Sequence, residues 1–89
     1  MKKAPVNLDY AYAPSLKKGI QKQFKGGSSV FLDLQNVERA SLACIQILIA
    51  ARNKARKEDV AFSVNLSEPL KNILKDMGLT DFFEMQQTS

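Results

Sequence analysis

The chain holds no histidine and no tryptophan, one cysteine (Cys44), three prolines and four glycines among its 89 residues. The missing histidine removes the side chain most used for proton transfer near neutral pH and the commonest metal ligand. With one thiol and no imidazole, a structural zinc site lacks ligands and an internal disulfide is impossible. The remaining candidate bases are carboxylates, lysines, tyrosines and Cys44, and they fall in no arrangement associated with acid–base or nucleophilic catalysis. Cys44, close to Leu42, Ile45 and Leu48 in a helix-length stretch, reads as a small buried hydrophobe. The one glycine pair, Gly26-Gly27, lies between a helix and a strand, whereas phosphate-cradling loops run from a strand into a helix and carry more glycine. The longest apolar run, Leu42 to Ala51, is broken by Gln46 and falls far short of the roughly 20 residues that cross a bilayer. These absences point to a protein that catalyses nothing itself, uses no cofactor or metal and does not insert into a membrane.

What is present suits one small globular unit. Hydrophobic residues make up 45% and charged residues 25% of the chain, the balance of an ordinary folded domain. Area scaling gives a core that removes roughly 60–65% of the extended chain's surface from water. Residues 1–89 are read as a single domain, with 1–4 and 86–89 frayed. Met1-Lys2-Lys3 is basic, but Pro5, Asn7 and Asp9 follow where an apolar signal core would stand, so a cytoplasmic protein is expected. The net charge is +4, yet the basic residues are spread among Lys17–Lys25, Arg52–Lys57 and Lys71–Lys75 beside acids, which argues against a nucleic-acid partner.

Periodicity sets out the elements in order. Val6, Leu8, Tyr10 and Tyr12 alternate, which predicts a first strand over 5–12. Pro14 suits a first helical turn, Leu16, Ile20 and Phe24 recur at spacing four, and Gly26-Gly27 ends that helix. Ser28 to Leu34 is short, apolar and rich in β-formers, the pattern of a strand buried on both faces. After a loop from Gln35 to Arg39, Ser41 stands as an N-cap before a helix that closes in the basic run Arg52-Asn53-Lys54-Ala55-Arg56-Lys57, read as a solvated end that complements the helix dipole. Val60 to Leu66 reads as a third strand. Ser67-Glu68-Pro69 then opens a last helix whose buried stripe is Leu70, Ile73, Leu74 and Met77. Gly78 ends it, and Leu79, Phe82 and Phe83 form a final apolar cluster before the polar tail. Strand and helix in alternation imply an α/β fold, with a mixed or parallel sheet and helices packed against it.

Three runs carry a family resemblance: Val30-Phe31-Leu32-Asp33-Leu34, then Val64-Asn65-Leu66-Ser67-Glu68-Pro69-Leu70, and Met77-Gly78-Leu79-Thr80-Asp81-Phe82-Phe83. Together with Leu8-Asp9 and Ala13-Pro14-Ser15-Leu16 they resemble the STAS domain (sulphate transporter and anti-sigma factor antagonist) over nearly the whole chain. The resemblance implies a mixed β-sheet with flanking helices and a regulatory, non-enzymatic role exerted on a protein partner. It also implies a phospho-acceptor hydroxyl, within an Asp-Ser or Asp-Thr pair, where the loop enters the second helix. This chain departs there. Laid without gaps from Leu32 to Ala51, the acidic position falls on Ser41, the acceptor position on Leu42, which cannot be phosphorylated, and a usual glycine on Cys44. A one-residue slip would make Ser41 the acceptor, but it would displace Ile45, Leu48 and Ile49 from matching apolar positions, so the gapless register is preferred.

Val37-Glu38-Arg39, with Cys44, Gln46, Leu48, Ala50 and Ala51, resembles a narrower group of small STAS proteins encoded among alphaproteobacterial chemotaxis genes. That implies an adaptor that binds a signalling histidine kinase or an anti-sigma, GHKL-type kinase through Asn36, Glu38, Arg39, Ser41 and Leu42. Leu42 is either an apolar anchor for that partner or a first-turn residue tucked into its own core; Glu38 and Arg39 are equally open. Two other roles follow from the family: a partner-switching anti-sigma factor antagonist phosphorylated at Ser41, in which the added negative charge repels the partner, and a cytoplasmic subunit of a lipid-exporting ABC transporter.

Overall fold

The computed structural model describes residues 5–27, 29–80 and 82. Its elements run β1 (Asn7–Leu8), a 3-10 turn (Tyr10–Tyr12), α1 (Ala13–Gly26), β2 (Ser29–Leu34), β3 (Arg39–Ala40), α2 (Leu42–Glu58), β4 (Ala61–Leu66) and α3 (Glu68–Asp76). The class is α/β, as the alternation indicates. β2 pairs in parallel with β4 from Ser29↔Ala61 to Leu34↔Leu66, and β1 pairs in parallel with β3 through Asn7↔Arg39 and Leu8↔Ala40. Parallel neighbours need a long crossover, and α2 is the crossover between β2 and β4. Among the described residues these are two separate two-stranded ladders, both parallel, where the resemblance implies one mixed sheet.

Local chemistry explains most of the boundaries. Pro14 stands in the first turn of α1, where its missing N–H costs nothing. Gly27 ends α1 at φ 93°, a left-handed conformation that a residue with a Cβ adopts only at a cost. Ser41 and Ser67 are N-caps, their hydroxyls accepting from the amides of Cys44 and Leu70.

The core gathers on one side of the sheet, where Val30, Leu32, Leu34 and Val64 are fully buried. α1 lays Leu16 and Ile20 into it, α2 lays Cys44, Ile45 and Leu48, and α3 lays Leu70 and Leu74. Cys44 is therefore the buried hydrophobe expected of it. The other face of β2 is only half covered, at Phe31 and Asp33, so this strand is not buried on both faces. Along the edge of β2, the side chain of Gln23 in α1 donates from Nε2 to the Phe31 carbonyl at 2.9 Å and accepts the Phe31 N–H on Oε1 at 2.7 Å. A glutamine amide takes the place of a neighbouring strand.

Four further expectations are corrected. The first strand does not reach Tyr12: it is two residues long, because the Asp9 carboxylate accepts the Tyr12 N–H at 3.1 Å and turns the chain into 3-10 geometry. A third strand, β3, lies within the segment read as loop and helix cap. Arg52 is not part of a solvated helix end; it is 8% exposed, with its guanidinium carbon 4.9 Å from the Phe82 ring centroid. Met77 lies past the end of α3 and is 42% exposed, while Leu79 and the buried Phe82 complete the core in its place. Ser28, Phe83 and the termini 1–4 and 86–89 lie outside the described residues. Among the described residues no helix is long and apolar enough to cross a membrane.

Candidate functional site

The loop between β2 and α2 is held by its main chain and by one buried side chain, which frees its other side chains for outside contact. The Val37 amide donates to the Leu34 carbonyl at 3.2 Å, closing a turn in which Gln35 and Asn36 are exposed. The Val37 side chain is fully buried, and its carbonyl accepts the hydroxyl proton of Ser67 at the start of α3. The amides of Glu38 and Arg39 share the Val6 carbonyl, at 2.7 and 3.4 Å, and the Ser41 amide donates to the Leu8 carbonyl at 2.7 Å. These three bonds, from Arg39 of β3 and from the residues on either side of that strand, fasten the loop to β1 and to Val6 before it.

At the helix start, Ser41 Oγ accepts the Cys44 N–H at 3.3 Å and the Ser41 carbonyl accepts from the Ile45 amide at 3.1 Å. The Cys44 thiol donates to the Asp9 carbonyl at 3.4 Å, tying α2 to the turn ahead of α1. Ser41 is half-buried and its hydroxyl is engaged as a cap. Ser41→Ala should lower the unfolding free energy by about 1 kcal/mol, while Ser41→Asp, whose carboxylate can take the same amide, should restore most of it. Urea denaturation followed by circular dichroism checks both.

All five residues singled out from the sequence come together because they are contiguous: Asn36, Glu38, Arg39 and Leu42 are exposed and Ser41 sits half-buried between them. Leu42, the first residue of α2, is 59% exposed. It is not tucked into its own core. Val6, 51% exposed, and Tyr10, 79% exposed, border the same region: Val6 carries the carbonyl that holds Glu38 and Arg39, and Tyr10 follows the residue that holds Cys44. Sequence reasoning missed both because an alternating strand would place them on one face with buried Leu8. The Asp9-x-x-Tyr12 turn was the signal that could have separated them.

The outcome is a hydrogen-bonded platform that displays apolar Val6, Tyr10 and Leu42 beside charged Glu38 and Arg39. Exposed apolar side chains rimmed by charge are the composition of a protein-binding patch. A family model described as the STAS domain matches residues 4–89. A search of curated proteins and a search of solved structures each find no match.

Proposed function

The chain belongs to the STAS domain family, and from that premise we propose that it is a non-enzymatic adaptor whose β2–α2 loop and α2 start capture a signalling kinase. Family membership carries the general role, that of a regulatory domain working through protein contact, of the anti-sigma-antagonist or sulphate-transporter-associated kind. The observation that favours an adaptor without its own switch is Leu42. In the gapless register it occupies the acceptor position, it has no hydroxyl, and it projects from the first turn of α2 with 59% exposure. The neighbouring hydroxyl, on Ser41, already caps the helix. Moving an exposed leucine side chain from water into an apolar slot on a partner is favourable. The likeness of Val37-Glu38-Arg39, Cys44, Gln46, Leu48, Ala50 and Ala51 to chemotaxis-operon STAS proteins supports a histidine kinase as that partner, and with it a cytoplasmic setting.

Affinity capture from the native cell followed by mass spectrometry would identify the kinase, and calorimetry would then compare wild type with Leu42→Asp. The expected result is affinity about 30-fold weaker, or about 2 kcal/mol, with unchanged circular dichroism. Undiminished affinity of a folded Leu42→Asp protein, or the lack of any kinase among captured proteins, would overturn the proposal.

A further inference from the structure

α1 and α2 lie side by side and run in the same direction. The turn leading into α1 meets the start of α2, where Cys44 Sγ reaches the Asp9 carbonyl, and Phe24 near the end of α1 lies under Lys54 toward the end of α2, Nζ 4.8 Å from the ring centroid. An open groove of about 790 Å³ follows the two helices between these points. Its surface is largely apolar, from Ile20, Phe24, Ile47 and Ala50, and among the described residues its charged lining is Lys17 and Lys54, with no carboxylate. Lys17 precedes Phe24 by seven residues along α1, about 10.5 Å of helical rise or two turns. The groove thus carries one cation near the start of its apolar stretch and another, on Phe24, about two turns further on.

We propose that this groove docks an amphipathic helix of a partner protein bearing acidic side chains two turns apart, at i and i+7, on either side of apolar residues at i+3 and i+4. The apolar stretch takes the hydrophobic stripe of such a helix, and the lysine spacing selects its charge and register. Lys54 also forms an exposed pair with Glu58 at 3.9 Å, both side chains half exposed; a solvated pair of this kind is weak and exchanges readily for a carboxylate in a less hydrated groove. Because the groove begins at Tyr10 and Ala43, next to Leu42, it lengthens the adaptor surface. The inference rests on the adaptor reading and specifies the chemistry of its partner.

Two synthetic helical peptides of about 18 residues, long enough to hold a helix, test it. They share a leucine pair at i+3 and i+4 and differ only in carrying glutamate or lysine at i and i+7. In an amide-proton NMR titration the glutamate peptide should move the resonances of Ile20, Phe24, Ile47 and Ala50 and bind at least tenfold tighter than the lysine peptide. The Lys17→Gln/Lys54→Gln double variant should abolish that preference, and Lys17→Glu/Lys54→Glu should invert it. Equal binding of both peptides, shifts confined to other surfaces, or no binding at millimolar peptide would overturn the proposal. So would displacement of the glutamate peptide by equimolar dodecanoate, which would assign the groove to a lipid. Leu42→Asp should leave peptide binding intact, so a kinase complex lost in Leu42→Asp but retained in the double glutamine variant would overturn the groove while sparing the adaptor.

Discussion

Phe82→Ala should reduce the unfolding free energy by about 3–5 kcal/mol. Phe82 is 1% exposed and among the largest fully buried side chains, so truncation removes its transfer free energy and leaves a cavity that the surrounding leucines fill only in part. A second cost follows from Arg52. This side chain is 8% exposed and lies over the Phe82 ring, where the aromatic face compensates a guanidinium for water it has lost. Domains of this size sit near the low end of the usual 5–15 kcal/mol, so the variant should keep at most about 2 kcal/mol and be measurably unfolded at physiological temperature. Phe82→Leu, which keeps most of the volume, should cost less than about 1.5 kcal/mol. Equilibrium urea unfolding of the three proteins, compared at constant m-value, checks the order. A Phe82→Ala protein within 1 kcal/mol of wild type would show that the segment after α3 adds nothing to the core.

Ser67→Ala comes next in size, at about 2–3 kcal/mol. Its hydroxyl accepts from the Leu70 amide as the cap of α3 and donates to the Val37 carbonyl. Loss of the cap costs about 1 kcal/mol, and the Val37 carbonyl, left buried without this donor, adds a penalty of about 1–3 kcal/mol. The two losses share one side chain and need not add in full. Ser67→Asp separates them. A carboxylate can cap the helix but cannot donate, and it sets a negative charge against the carbonyl, so aspartate should rescue little here although it should rescue Ser41. The change should also be felt in the docking loop, since Val37 anchors it. Hydrogen exchange at the Glu38 and Arg39 amides should quicken in Ser67→Ala beyond the rise seen in α3 itself. Equal rescue by aspartate at both serines would mean that the Val37 bond carries no weight.

The order of elements was legible because each boundary is marked by a residue with a local job. Ser41 and Ser67 cap helices, Pro14 and Pro69 begin them, and Gly27 and Gly78 end α1 and the turn after α3 at positive φ. Tertiary features were less legible. Arg39-Ala40 has no apolar alternation and becomes a strand only because the carbonyls of Val6 and Leu8 lie opposite it. In the first segment the alternation of Val6, Leu8, Tyr10 and Tyr12 outweighed the capacity of Asp9 to capture an amide three residues on, a competition between side chain and backbone that pattern counting ignores. The place of Arg52 follows from spacing: Cys44, Ile45, Leu48, Ala51, Arg52 and Ala55 form one unbroken inward stripe, whereas its charge by itself suggests a solvated position. The candidate site was found where its residues are consecutive, from Asn36 to Leu42. It was missed where chain crossing supplies them, as at Val6 and Tyr10, and across the groove that joins Lys17 to Lys54.

The Gln23 amide against Phe31 bears on how this chain avoids its own kind. Val30-Phe31-Leu32-Asp33-Leu34 is short, apolar and β-prone, the sort of segment that templates cross-β stacking when its amides are open. β4 lies along one edge of it, and on the other the glutamine fills both hydrogen-bonding groups of Phe31. A second copy seeking to extend the ladder must first evict a side chain tethered to a folded helix, so safety from fibre growth at this strand depends on α1 staying folded.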